Sequence, residues 1–406
     1  GPCKIKGKVS ISGSKNASLP ILAATLLFNK PVIIKNLPRV RDINTMLNLL
    51  KSLGSKITLS KDRKTAKIIN KNNMRTFASY SLVKTMRGSI LVLGPLISKF
   101  HKSKISLPGG CLIGARPVNY HLSALKKLGM EYKIRDGYIL ATSNGRLKGK
   151  TIKFPKISVG ATENSIIAAC LAKGKTILKN CAVEPEIKDL TQFLNKAGAN
   201  IRWSERTCTI LGINSLTQTN YKVMADRIEA GTFCVAATLN KGNLQIKNLD
   251  PKMINTELEL LKKVGAKIKT TNNKIFIKGP DKIKPIKNIK TKEFPGIPTD
   301  LQAQLMVLMC KSTGKSSITE SIFENRFMHV AELQRLGAKI DVINNKAFIQ
   351  GNTKFIGAEL MSSDLRASVA LVLAAMVANG KSIVGRVYHL ERGYENIENK
   401  LQKIGV

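Results

Sequence analysis

Three stretches of the sequence hold residues whose type and spacing suit chemistry. In SGSKNASLP, Ser14 or Asn16 can cap the start of a helix, and Lys15 then falls at its positive end, where anions gather. A capped helix with a solvated lysine fits the same spacing. In LPGGCLIGARPVNYH, Pro108, Gly109 and Gly110 form a loop with Cys111 near its tip, and Arg116 follows five residues later. A nearby guanidinium favours the thiolate, and the flanking glycines imply exposure, so Cys111 is expected to be reactive rather than a packed core thiol. Asp300 stands just before the helical stretch LQAQLMVLMC, the usual place of an N-cap. Arg366 and Arg392 complete the set, because the planar guanidinium binds phosphate and carboxylate through two parallel bonds. Each arginine alone also fits a surface ion pair. Glu324, Asp364 and Glu395 are further carboxylates in loop-like motifs, and the spacing of His121, His329 and His389 matches no metal site.

The elements that must position these residues recur. LKSLGSKI, LKKLGMEY, LNKAGANI, LKKVGAKI, LQRLGAKI and LQKIGV place glycines at 54, 129, 198, 265, 337 and 405, separated by 75, 69, 67, 72 and 68 residues. Each glycine ends an amphipathic stretch and reads as a helix C-cap. Alternating runs such as AKIKTTNNKIFIKG follow, in which Asn-Asn turns a hairpin. A strand precedes each amphipathic helix, as in GKTILKNC, and a strongly apolar helix such as DLRASVALVLAAMVA precedes that strand. The unit is helix, strand, helix, hairpin. Helices apolar on nearly every side must be buried, with the sheets outside them.

A chain of 406 residues, 43% of them hydrophobic, exceeds what one core usually supports. The six units therefore predict two domains of three units each. The longest apolar stretches, residues 17–28 and 369–378, fall short of the roughly 20 residues a membrane helix needs, and no leader opens the sequence. Because residue 1 is Gly, the numbering is expected to begin inside the natural chain or after processing. Seven cysteines without a CxxC pair suit a reducing compartment. The formal charge of +41 invites a nucleic-acid reading, but the lysines are spread along the whole chain and aromatic residues are only 5%. Specific nucleic-acid binding is set aside, and the excess of Lys, Asn and Ile is read as the mark of an AT-rich genome.

Taken together, SGSKN, KTMRGS, PGGCLIGARP, KISVGATEN, EPEI, DRIEAGTF, PTDLQAQ, ENRFMH, SDLRAS and HLERGYENIE resemble, in order and over nearly the whole chain, the enolpyruvyl transferases that act on UDP-N-acetylglucosamine. The resemblance implies a two-domain inside-out α/β barrel, with residues 1–14 plus 226–406 as a discontinuous domain and 15–225 as an inserted one. It implies transfer of the enolpyruvyl group of phosphoenolpyruvate to the sugar 3′-hydroxyl, through a tetrahedral intermediate that loses phosphate, at the first committed step of peptidoglycan synthesis. No cofactor, metal or membrane is implied, and the enzyme is expected to be a cytoplasmic monomer.

By the same resemblance, Lys15, Arg116 and Arg392 hold phosphoenolpyruvate with Asn16 beside them. Cys111 acts as general acid and reacts with fosfomycin, and Asp300 takes the proton of the sugar hydroxyl. Asp364 lies near the reacting carbons, with Arg366 another candidate cation. Arg87, the stretch Arg116, Pro117, Val118, Asn119 and Tyr120, then Lys156, Ile157, Ser158 and Val159, with Asp300 and Ile322, contact the sugar nucleotide. Asn119 and Tyr120 depart from the Asp-Leu common in the family, which puts nucleotide affinity rather than substrate class in question. Relative to the family the chain also begins a few residues late and ends soon after Gly405, so a terminal strand is expected to be incomplete. The shikimate-pathway enolpyruvyl transferase is the nearest rival but its pattern lacks the PGGC loop. A basic binding protein that has lost catalysis would not be expected to keep Lys15, Cys111, Arg116, Asp300 and Arg392 together.

Overall fold

The structure, a computed structural model, describes residues 2–71, 73–84, 86–107 and 118–406. These fall into two compact units, one of residues 2–12 and 225–406 and the other of residues 13–107 and 118–224. The repeat seen in the sequence organises both. Among the described residues six apolar helices are buried: Lys15–Ala24, Leu93–Phe100 and Val159–Ala169 in the second unit, and Arg227–Leu239, Gln302–Cys310 and Leu365–Met376 in the first. Arg227–Leu239 is buried at every position, as its lack of a polar face requires. No helix is long and apolar enough to cross a membrane among the described residues.

Amphipathic helices occupy the other position of each unit. Arg41–Leu53 buries Ile43, Met46, Leu47, Leu50 and Leu53 at helical spacing, and Gly54 ends it with a φ of 112° and an N–H donated to the Leu50 and Lys51 carbonyls. The remaining five glycines of the repeat all adopt positive φ between 95° and 110°, a conformation that an L-residue with a Cβ rarely takes. The hairpins are tight: Thr271 pairs with Lys274 and Ile343 with Lys346, so two asparagines turn each one, with φ of 60° at Asn273 and 54° at Asn344.

The unit carries one strand more than the sequence pattern shows. Before a buried helix runs a short strand that pairs parallel with the strand after it: Phe77–Ala78 with Lys102–Ser106, Thr151–Lys153 with Lys175–Lys179, Ile289–Lys290 with Ser316–Thr319, and Glu359–Met361 with Ile383–Gly385. Two units exchange this strand. Lys6–Ser10 precedes the Lys15–Ala24 helix but pairs with Asn243–Lys247, while Thr219–Lys222 precedes Arg227–Leu239 but pairs with Val32–Lys35. Five four-stranded sheets and one two-stranded sheet result, and they remain separate among the described residues, so no closed hydrogen-bonded barrel forms. Strand residues alternate between buried and exposed, as in Lys274–Lys278, so each sheet packs one face on the helices.

Each unit has its own core. In the second, the rings of Phe28, Phe193 and Tyr221 pack in series at 5.5 Å, and the Tyr221 hydroxyl donates to Asp189 Oδ1 at 2.7 Å. Burial pushes the Asp189 carboxyl up from 3.8 to about 6, against the Tyr221 hydroxyl and the Met224 N–H, which favour the anion. The raised value favours the folded state fully below pH 4, and that contribution is lost as pH rises through 6. Asp189→Asn cannot ionise, so its stability relative to the unsubstituted protein is expected to improve by about 3 kcal/mol between pH 4 and pH 8. Urea unfolding of both at several pH values measures this, and parallel pH profiles would refute it.

Candidate active site

In the second unit, Ser14 caps the Lys15–Ala24 helix by accepting from the Ala17 N–H at 3.2 Å, and its own N–H donates to the Met224 carbonyl at 2.8 Å. Lys15 is not the solvated lysine that a bare capped helix would leave. Its side chain is 11% exposed and its Nζ lies 3.4 Å from Asp42 Oδ2, a carboxylate at the start of the Arg41–Leu53 helix. The aspartate steers the ammonium at the helix end without closing on it, since 3.4 Å is long for a charge-assisted bond.

Arg87 opens the 3₁₀ segment Arg87–Val92, which packs on the same helix: a Cβ on Gly88 would lie 3.2 Å from Leu19, one turn beyond Lys15. His121, in the helix Asn119–Lys127, shares a 3.1 Å hydrogen bond between its Nδ1 and Asn164 Nδ2, and Asn164 Oδ1 accepts from the Gly94 N–H at 2.8 Å. Burial, and then the positive charge of Arg87, lowers His121 to about 3, so the ring is neutral at pH 7. A Cβ at Gly160 would meet His121 at 3.0 Å, which sets the start of the Val159–Ala169 helix beside that ring. Ser158 caps this helix, leaving Lys156 and Val159 exposed and Ile157 half-buried, while Asn119 is exposed and Val118 and Tyr120 half-buried. Arg87, Val118–Tyr120 and Lys156–Val159 are thus neighbours around His121, which sequence reading singled out only as a non-ligand. Cys111, Arg116 and Pro117 lie outside the described residues.

In the first unit the focus is Asp300. The N-cap reading fails, since no side chain caps Gln302–Cys310. Instead Asp300 Oδ1 accepts from Arg326 Nη2 at 2.9 Å and Oδ2 from Arg366 Nη2 at 2.7 Å. Both guanidiniums are 4–5% exposed, against 25% for the carboxylate. Burial works to lower the Arg366 pKa, but Asp300, Tyr394 and Asp226 outweigh it and hold the group above its ordinary value. Arg366 is therefore committed to the carboxylate and to the Tyr394 ring at 5.5 Å, rather than free to grip an anion alone. Gln304 supports the turn by donating to the Asp300 carbonyl at 3.1 Å.

Asp364 is the N-cap that Asp300 is not: its Oδ1 accepts from the N–H groups of Arg366 at 2.8 Å and Ala367 at 3.2 Å. This fixes the start of the helix that carries Arg366. A Cβ on Gly393 would strike Leu365 at 2.6 Å, so the Arg392–Gly393 turn lies on the same helix end. His329 is buried near Asp364 and Arg326; burial lowers it to about 4, partly offset by Asp364 and reinforced by Arg326. Ile322 donates its N–H to Glu320 Oε1 at 2.8 Å, and Thr299 Oγ1 donates to Glu320 Oε2 at 2.8 Å. Glu320 thereby ties the Ile322 loop to the residue before Asp300. Arg326 and Glu320 escaped sequence reading; Arg326 lies within the ENRFMH motif, but nothing local shows that it pairs with Asp300.

The whole chain matches a known family. Residues 1–401 fit the EPSP synthase (3-phosphoshikimate 1-carboxyvinyltransferase) family. A UDP-N-acetylglucosamine 1-carboxyvinyltransferase of Pelagibacter ubique (strain HTCC1062) is 62% identical over 406 residues, covering 100% of this chain and 97% of the relative. One from Coxiella burnetii (strain RSA 493 / Nine Mile phase I) is 47% identical, covering 100% and 93%. Among solved structures, the enolpyruvyl transferase NikO from Streptomyces tendae superposes with a TM-score of 0.89 at 23% identity, covering 100% of this chain and 96% of that one. EPSP synthase from Acinetobacter baumannii gives 0.78 at 18% identity, covering 100% and 97%; these two likenesses speak to fold alone. The chain belongs to the EPSP synthase family of enolpyruvyl transferases and, within it, to the UDP-N-acetylglucosamine 1-carboxyvinyltransferases.

Proposed function

We propose that this enzyme joins the 3′-oxygen of UDP-N-acetylglucosamine to C2 of phosphoenolpyruvate while C3 is protonated, and that phosphate then leaves as C3 returns a proton. The product feeds peptidoglycan synthesis. The observation that carries the reading is the Asp300 carboxylate held between two buried guanidiniums, in a chain 62% identical to a relative of that name. A carboxylate fixed at both oxygens and still 25% exposed is oriented toward a ligand before one arrives, which is what a proton acceptor for a sugar hydroxyl needs.

Lys15, Arg116 and Arg392 supply positive charge for the phosphate and carboxylate of phosphoenolpyruvate, with Asn16 alongside, and Cys111 delivers the proton to C3. Arg87, Arg116–Tyr120, Lys156–Val159 and Ile322 form the nucleotide contacts, and Asp364 and Arg366 shape the reacting end. Residues 15–225 act as one domain and 1–14 plus 226–406 as the other, in a cytoplasmic monomer.

Phosphate release separates this reading from its rivals. With phosphoenolpyruvate present, release is expected with UDP-N-acetylglucosamine and at least about 100-fold less with shikimate 3-phosphate, since an acceptor that leaves the site's polar groups unpaired is rejected strongly. The reverse preference would assign the shikimate reaction, and release with neither would assign a binding protein.

A further inference from the structure

We infer that the outer face of the sheet formed by Lys6–Ser10, Asn243–Lys247, Lys274–Lys278 and Lys267–Thr271 is a docking surface for an anionic lipid bilayer. Strand register places three rows on this face: Lys6, Asn243, Lys278 and Lys267; Lys8, Gln245, Phe276 and Lys269; Ser10, Lys247, Lys274 and Thr271. Seven of the twelve positions are lysine and none is acidic. The opposite face carries Val9, Leu244, Ile246, Ile275 and Ile277 into the core, which fixes all seven lysines outward. None of the seven has an ion-pair partner among the described residues.

Three features favour a bilayer over a nucleic acid. The charges cover an area roughly 14 Å on each side, from strand spacing and rise, rather than a line or groove that tracks one strand. Every cation is lysine, a point charge suited to headgroups, and no arginine fork is present. One aromatic, Phe276, stands at the centre and is 39% exposed, an apolar tip that can enter the headgroup layer but no stacking platform for successive bases. Two other sheets share only part of this. The outer face of Thr219–Lys222, Val32–Lys35, Ala66–Ile69 and Lys56–Leu59 has Lys222, Lys35, Lys67 and Lys56 without an acid but has no aromatic. That of Phe77–Ala78, Lys102–Ser106, Tyr138–Ser143 and Met130–Arg135 has exposed Phe77 among Lys102, Lys104 and Lys133 but also carries Glu131. A general excess of lysine explains scattered charge, not a face cleared of acids around an exposed ring. Attachment of this kind is peripheral and reversible, and it falls with salt.

Co-sedimentation of the full chain with vesicles tests this. Binding is expected to vesicles of phosphatidylcholine with about 30% phosphatidylglycerol at about 50 mM salt, falling at least about fivefold at 300 mM or on pure phosphatidylcholine. The triple variant Lys8→Glu, Lys269→Glu, Lys274→Glu should lose at least about fivefold. A control with the same change in net charge, Lys35→Glu, Lys56→Glu, Lys67→Glu, should stay within about twofold. Thermal melting checks that both fold, and the milder Lys8→Gln, Lys269→Gln, Lys274→Gln set should rank the same way. Equal loss in both charge-reversal variants would reduce the effect to net charge and overturn the proposal, as would no vesicle binding at low salt. Loss of binding to a single-stranded oligonucleotide with vesicle binding retained would assign the face to nucleic acid instead.

Discussion

Asp300→Ala is expected to abolish turnover, by about 10³-fold or more, and to lower stability by about 3 kcal/mol or more. The two losses have separate causes. Turnover falls because the group that would take the hydroxyl proton is gone, and positioned general bases contribute roughly 10²–10⁴-fold. Stability falls because Arg326 and Arg366, each about 5% exposed or less, keep their charge and lose the carboxylate that both donate to. Breaking a buried pair from one side costs roughly 3–5 kcal/mol because the partner is left charged and uncompensated. Asp300→Asn separates the two effects. It keeps one acceptor for one guanidinium, so part of the stability returns, but an amide cannot accept the proton and turnover stays low. Steady-state kinetics with both substrates varied, beside melting curves, gives the comparison. Turnover within tenfold of the unsubstituted enzyme for Asp300→Asn would remove Asp300 from the chemistry and leave it a purely structural anchor.

That anchor shows where sequence reading ends. Asp300 and Asp364 each stand before an apolar helix and give the same local signal for an N-cap. Asp364 fills the role, whereas Asp300 is drawn to guanidiniums 26 and 66 residues away, a pairing that no window around residue 300 contains. The repeat was legible because its marks are local: a glycine whose positive φ ends each amphipathic helix, and an apolar run that excludes any exposed face. The strand before each buried helix was not, because Phe77–Ala78 and Ile289–Lys290 have two residues each, too few for alternation to show. Nor does anything in residues 6–10 or 219–222 say that these strands exchange partners, since a parallel pairing is settled by tertiary packing. Lys15 lies between the cases: its helix cap was legible, its aspartate was not.

Cys111→Ala is expected to lower turnover by about 10²-fold or more and to remove covalent labelling by fosfomycin. The selectivity depends on the other cysteines as much as on Cys111 itself. Burial pushes the thiols of Cys170, Cys181 and Cys310 up to about 12, and those of Cys208 and Cys234 also well above the ordinary range. At neutral pH these five present almost no thiolate, and each is closed off in the core. Cys3, half-buried, is the one described competitor. Cys111 differs in its sequence setting: its neighbours are Gly110 and Leu112 after Pro108 and Gly109, and Arg116 follows five residues later, a residue type that favours a nearby thiolate. Digestion and mass mapping after fosfomycin treatment, with and without UDP-N-acetylglucosamine, should place one adduct on Cys111. Cys111→Ser tests the acid role, because a serine hydroxyl is a far weaker acid than a thiol and cannot deliver a proton to C3 at pH 7 at the same rate. An adduct on Cys3, or a serine variant with turnover within tenfold of the original, would move the proton donor elsewhere.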